Sequence, residues 1–320
     1  MLTKTPSLGL RPHWGLAAAF LIAFAASASA GDTHAPETGG FAISVKNGEV
    51  RHGPRADADG PIGVMGAHHH GQGELMLSYR YMRMWMEGNL IGDNSVSPDT
   101  IVTTVPNRFF GQPMQPPTLR VVPTEMSMDM HMLGTMYGLT DRISLMGMVP
   151  LAEKDMHHIT YAGPVGTTRL GTFDTSSDGI GDIALSGIVG LYGSQPAHHG
   201  AKTAHGNTHL NLLLGLSAPT GSITERGCIL NPMGMRQVVR LPYAMQLGSG
   251  AWDFLPGLVY TTRSNNLSFG AQYRGAIRLE DENDEGYALG DLRQATAWAQ
   301  VEWAPWGSTG ASRPLLSPFS

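Results

Sequence analysis

Cysteine is almost absent from this chain, which has Cys228 alone among 320 residues. A single thiol cannot form an internal disulfide, so no disulfide framework holds the fold. Charged residues are also scarce, at 15%. Beyond the amino terminus, no segment has the run of about 20 apolar residues that a membrane-spanning helix needs. If the chain enters a membrane, it must do so as a closed β-barrel, because only helices and closed barrels satisfy the backbone in lipid.

The first 30 residues are typical of a cleaved signal peptide. Lys4 and Arg11 precede the apolar run 16–26, and the small residues 28–30 form a cleavage site. Without this segment, 19 lysines and arginines face 26 acidic residues, and basic clusters are absent. We therefore expect an exported protein of a Gram-negative outer membrane with no nucleic-acid partner.

Catalytic motifs are absent as well. The chain has no GxSxG, HExxH or glycine-rich phosphate loop. Asp129 and His131 would share one face of a strand, but no nucleophile stands near them in the sequence. We predict that the protein is not an enzyme and has no catalytic or cofactor-binding residues.

What the sequence does have is alternation of apolar and polar residues. Side chains of a strand point to opposite faces with a period of two. In residues 118–137 this period separates a row of methionines from a row of polar residues, namely Met126, Met128, Met130 and Met132 from Glu125, Ser127, Asp129 and His131. Several strands of this kind, without helices between them, are typical of a transmembrane β-barrel.

Eight strands are predicted from this periodicity. They cover about 74–86, 118–137, 142–151, 180–192, 207–218, 250–262, 267–279 and 291–303. Long loops (87–117, 152–178, 219–249, 280–290) alternate with shorter links (138–141, 193–206, 262–266). Outer-membrane barrels show this parity, with short periplasmic turns and long external loops. We predict an all-β fold, a transmembrane antiparallel up-and-down β-barrel.

Four regions follow from these assignments. They are a signal peptide (1–30), a flexible leader rich in Gly, Asp and Pro (31–72), the barrel (73–303) and an irregular tail (304–320). The tail holds three prolines, which cannot donate to a sheet ladder. Either the barrel closes with eight strands, or the chain lacks closing strands that its relatives possess.

Three motifs carry a resemblance to a known family. They are GIGDI (179–183), LGLSAPTG (214–221) and LGSGAWD (247–253). Over about 74–303 the chain resembles the outer-membrane family named for the meta pathway of phenol degradation. The resemblance implies an exported barrel in contact with outer-membrane lipid that passes or binds small molecules, aromatic compounds among them. It brings no catalytic residues.

Methionine and histidine are enriched, and both are metal ligands. Fourteen of the 18 methionines lie between Met65 and Met156. Thioether sulfur suits Cu(I), and imidazole suits Cu(II), Zn or Ni. The candidate metal residues are His68, His69, His70, His131, Met128 and Met130, with copper as the first metal. The alternative interpretation is that the methionines form a lipid-facing or packing surface and the histidines are solvated loop residues.

Polar residues on the other strand faces are predicted to line a lumen. They are Glu125, Asp129, His131, Asp182, Gln272, Arg274 and Arg278. Such residues tune selectivity in a pore, whereas an eight-strand barrel is filled by its own side chains. The predicted function is passage or binding of a small-molecule solute. Two alternatives stay open: an outer-membrane protein for copper binding or metal resistance, and a secreted soluble β-sandwich that binds a ligand.

Overall fold

The computed structural model describes residues 38–46, 49–52, 64–67, 70–113, 115–193, 207–264 and 267–301. The predicted signal peptide, much of the leader and the predicted tail lie outside these residues. Strands dominate, and the all-β prediction is confirmed. Within the described part of the chain, no helix has both the length and the apolarity to cross a membrane.

One mostly antiparallel sheet of eleven strands makes up the fold. The elements in chain order are β1 (Thr38–Lys46), β2 (Glu49–His52), β3 (Leu75–Glu87), β4 (Asn89–Ile91), β5 (Asn94–Val96), α1 (Pro98–Thr104), β6 (Val121–Thr140), β7 (Ile143–Tyr161), β8 (Arg169–Ile180), β9 (Ile183–Tyr192), β10 (Asn207–Ala218), β11 (Arg226–Leu230), β12 (Arg236–Arg240), β13 (Asp253–Ser264), β14 (Leu267–Arg278) and β15 (Leu292–Val301).

The order of the strands follows the chain. It runs β15-β14-β13-β10-β9-β7-β6-β3-β1-β2, with β8 beside β7, and β4–β5 and β11–β12 form separate hairpins. β8 and β9 follow one another along β7, with a break where the Gly181 N–H donates to the Pro150 carbonyl at 2.8 Å. Among the described strands of this sheet, β2, β15 and β8 each pair with one neighbour only, and no ladder joins β2 to β15.

A strand lies at each of the eight predicted positions, but several predicted loops contain further strands. The predicted loop 152–178 was wrong in part, since β7 continues to Tyr161 and β8 returns beside it. In this part of β7 and in β8, most of the residues that point outward are polar. The alternation of apolar and polar residues therefore stops, although the strands continue to pair. The predicted loops 87–117 and 219–249 hold the two hairpins, and the leader contributes β1 and β2 to the sheet.

The outer face of the sheet carries an apolar band that crosses nearly every strand. Leu77 is 56% exposed and Leu185 61%. Among the described residues no second sheet covers these side chains. The band includes Leu75, Leu77, Leu133, Tyr137, Ile143, Leu145, Leu151, Leu185, Leu214, Leu216, Leu258, Tyr260, Phe269 and Tyr273.

Candidate functional site

Residues 64–67 and 70–72, which we call the inner segment, lie against the other face of the sheet, the inner face. The Gln272 side-chain amide donates to the Met65 carbonyl at 2.6 Å. The Asn211 amide donates to the Gly66 carbonyl at 3.0 Å, and this asparagine is 1% exposed. Three inner-face strands therefore supply polar side chains that satisfy the backbone of the segment, because Ser144 also accepts from the His70 N–H at 2.8 Å.

Met65 shows how strongly the sheet curls. Its carbonyl accepts from Gln272 on β14, and its sulfur lies 3.5 Å from a guanidinium nitrogen of Arg80 on β3. Five other strands separate β3 from β14 in the sheet. One residue can contact both only if these strands face each other across an interior. Trp298 on the edge strand β15 also packs against the cluster that contains Met76 of β3.

A second segment, residues 241–249, folds onto the inner face, and we call it the inward loop. It enters from the end of the sheet that carries the loops between β3 and β6 and between β7 and β8, which we call the long-loop end. The Lys154 ammonium donates to the carbonyls of Ala244 (3.0 Å) and Gln246 (2.6 Å). Asp182 accepts from the Gly221 N–H at 2.9 Å and the Ser249 N–H at 2.7 Å. These bonds fasten the loop to the sheet through two oppositely charged residues.

Methionines of neighbouring strands face each other in the interior. Met82 pairs across strands with Met130, Met84 with Met128, and Met86 with Met126. Met126 pairs in turn with Met156 on β7. These two residues are buried with Met245 of the inward loop, which is 0% exposed. At the other end, Met76 and Met136 are buried against Ala67 of the inner segment.

The unburied methionines lie between these two packed clusters. Met82, Met84, Met128, Met130 and Met132 all keep partial exposure. The inner segment fills one end of the interior and the inward loop covers the other, and the methionines between them border a space that solvent reaches.

Cations outnumber carboxylates on the inner face at mid-strand. Arg278 pairs with Asp253, and Asp182 holds the inward loop. Arg80 and Arg274 form no ion pair within the described part of the chain, and their positive charges repel each other. Both guanidiniums are partly buried.

Loop packing at the long-loop end depends on Arg120, which precedes β6 and is 3% exposed. Its guanidinium donates to the carbonyls of Gly166 (2.8 Å) and Ala162 (2.7 Å). Burial lowers the pKa of this guanidinium from its ordinary value. The turn between β7 and β8 is thereby tied to the start of β6.

Three predicted lumen residues lie on the wrong face for that role. Glu125, Asp129 and His131 share the outer face with Leu133. Glu125 and Asp129 lie beyond the apolar band, toward the long loops, and His131 lies at its edge opposite Leu151. There the Tyr79 hydroxyl lies 2.7 Å from His131 Nδ1, and the Tyr81 hydroxyl donates to Asp129. The physical reason is strand parity: the methionines occupy the inner face, so their neighbours in sequence must point outward.

The other predicted lumen residues lie on the inner face. Gln272 and Asp182 make the bonds given above, and Arg274 and Arg278 follow Gln272 at a period of two. Sequence alone did not identify Lys154 or the inner segment. Lys154 could have been found only if the predicted third strand had been extended past Leu151. It would then share a strand face with Met156, two positions later.

The candidate metal residues separate in the structure. His68 and His69 lie outside the described residues, and His70 is buried with its Nδ1 atom 3.3 Å from Glu74. His131 and the pair Met128 and Met130 lie on opposite faces, as their spacing requires. No group of three His, Cys, Asp or Glu side chains in the described ranges could hold a metal ion.

No protein-family model matches the chain, and no curated protein matches it.

Proposed function

We propose that this chain is an outer-membrane protein whose curled sheet is the wall of a β-barrel, and that its interior binds or passes a small organic molecule. The observation that carries the proposal is the apolar band on the outer face, opposite an inner face of charges, amides and thioethers. Large apolar patches uncovered in water are rare, since the largest on a typical monomer covers about 300–600 Å².

The height of the band suits a bilayer. On β7 it runs from Ile143 to Leu151, about 26 Å along a strand that rises ~3.3 Å per residue. A strand tilt of about 40° reduces this to ~20 Å, comparable to the roughly 25 Å apolar band of outer-membrane barrels. A soluble β-sandwich would instead place these leucines against a second sheet.

The interior favours an organic anion with an apolar body. Arg80 and Arg274 bring unpaired positive charge to one space, and an anion about 4 Å from either would gain ~4 kcal/mol at an effective dielectric constant of about 20. Methionine side chains adapt their shape and suit varied apolar ligands. An aromatic carboxylate meets both requirements.

Membrane location is tested by fractionating cells that express the full chain. We expect recovery in the outer membrane, extraction only by detergent, and heat-dependent migration on gels. Recovery as freely dissolved periplasmic protein would remove the barrel and its membrane role together.

Ligand class is tested by titrating the detergent-extracted protein with benzoate, benzyl alcohol and benzylammonium, followed by tryptophan fluorescence. These probes share a ring and differ in charge. We expect benzoate to bind at least about tenfold more tightly than the other two. Arg80→Gln and Arg274→Gln should abolish the preference, whereas Arg83→Gln, on the outer face of β3, should retain it. Equal binding of all three probes would contradict the anion preference without touching the membrane location.

A further inference from the structure

The methionines that border the interior space have a second chemical capacity besides apolar contact. Met82 and Met84 on β3 stand opposite Met130 and Met128 on β6. Directly paired residues of antiparallel strands have Cβ atoms about 4.5–5.5 Å apart. Successive inner residues of one strand are about 6.6 Å apart. Four flexible side chains with three rotatable bonds each can therefore bring their sulfurs to one point.

We propose that Met82, Met84, Met128 and Met130, which we call the methionine quartet, bind one soft monovalent metal ion, Cu(I). Thioether sulfur is a soft ligand that selects Cu(I) over hard cations such as Mg²⁺ and Ca²⁺. The proposal depends on the inward methionines and not on the barrel reaching a membrane.

The surroundings of the quartet make it distinct from packed core. Met76 and Met136 are 6% exposed, and Met126 and Met156 are 7% exposed, because each pair packs against an inner element. The quartet lies between these pairs on the same strands and is partly exposed. An ion can therefore reach it from the interior space.

Nearby positive charge is the main effect that opposes a cation. Lys154 stands opposite Met128 in β7. Its ammonium is directed to the carbonyls of Ala244 and Gln246, which hold it at the inward loop. Arg80 precedes Met82 on the inner face of β3 but contacts the Met65 sulfur. A monovalent ion suffers half the repulsion of a divalent one, so the same charges add selectivity against Zn²⁺ and Cu²⁺.

Binding is tested with Ag(I), a soft monovalent probe that needs no reductant. We compare the full chain with a variant that carries Met82→Leu, Met84→Leu, Met128→Leu and Met130→Leu. Leucine conserves volume, and apolar changes of this kind are well tolerated in a packed interior. We expect the variant to bind Ag(I) at least about tenfold more weakly. The control, Met233→Leu with Met235→Leu, changes two exposed loop methionines and should bind like the parent.

A second measurement needs no variant and keeps the proposal testable if the quadruple variant fails to fold. Peroxide converts methionine to the sulfoxide, and a sulfur bound to a metal reacts more slowly. Mass spectrometry should show that Ag(I) slows oxidation of the quartet by peroxide. The oxidation of Met233 and Met235 should be the same with and without Ag(I). Equal oxidation of the quartet with and without Ag(I), or unchanged Ag(I) affinity in a folded quadruple variant, would overturn the proposal.

Discussion

Gln272 on β14 donates its side-chain amide to the backbone carbonyl of Met65, 207 positions earlier in the chain, over 2.6 Å. This bond joins the inner segment to the far wall of the curled sheet. The Gln272 side chain that donates it is buried, at 6% exposed. The interior is therefore closed at one end by hydrogen bonds to specific side chains as well as by apolar contact.

Replacing Gln272 by alanine should weaken that closure. The change leaves the Met65 carbonyl without its amide donor, and an unsatisfied buried polar group costs about 1–3 kcal/mol. Urea unfolding of the extracted protein measures the loss. Gln237→Ala, in the exposed hairpin strand β12, is the matched control and should change stability by less than about 0.5 kcal/mol. Equal stability of the two variants would contradict the anchoring role.

Gly138→Ala should be more damaging than an ordinary glycine substitution. A Cβ atom at this position would lie 2.0 Å from the Gly71 carbonyl oxygen, so backbone must move. Overpacking of this kind costs about 1–3 kcal/mol or more. Gly187→Ala is the control, because its Cβ would meet nothing closer than 3.8 Å. The measurement compares the free energies of unfolding of the two variants. Equal stability of Gly138→Ala and Gly187→Ala would mean that the inner segment does not lie against Gly138.

Asp182→Asn should loosen the inward loop. The carboxylate accepts two backbone N–H groups, and hydrogen bonds to a charged group contribute about 1.5–3 kcal/mol each. An amide presents an NH₂ where an acceptor is needed. We expect faster tryptic cleavage after the exposed residues Arg226 and Arg236. Asp178→Asn, on the outer face of β8, should leave the cleavage rate unchanged.

Leu185→Arg should prevent insertion if the outer band faces lipid. Leu185 pairs across strands with Gly147, near the middle of the band on β7. Arginine at the bilayer midplane costs about 2–4 kcal/mol, and about 0–1 kcal/mol near the interface. Ser176→Arg lies beyond the band on β8 and should insert normally. Refolding yield into phospholipid vesicles compares the two, and equal yields would argue for an aqueous outer face.

Strand positions could be predicted from the sequence because a period of two survives even in short segments. In β10 and β14 this period places Leu214 and Leu216, and Phe269 and Tyr273, on the outer face. The sequence is less clear about which face of β6 points inward. Its polar residues Glu125 and Asp129 suggested an inner face, although Leu133 and Tyr137 share their parity and lie in the band.

The interior itself could not have been predicted from strand periodicity. Contacts such as Asn211 with Gly66 join segments 145 positions apart, and no local pattern encodes them. The inward loop depends likewise on Lys154 and Asp182, which come from different strands. A sequence can show that a polar residue occurs in an apolar strand, but its partner is set by how the sheet curls.

The inner segment also constrains the order of assembly. Residues 64–67 and 70–72 precede the first long strand, yet they are bonded to strands that come much later in the chain, including β10 and β14. These bonds cannot form before those strands are present. Burial of this early stretch therefore waits for the carboxyl-terminal strands, which makes it a late event in folding.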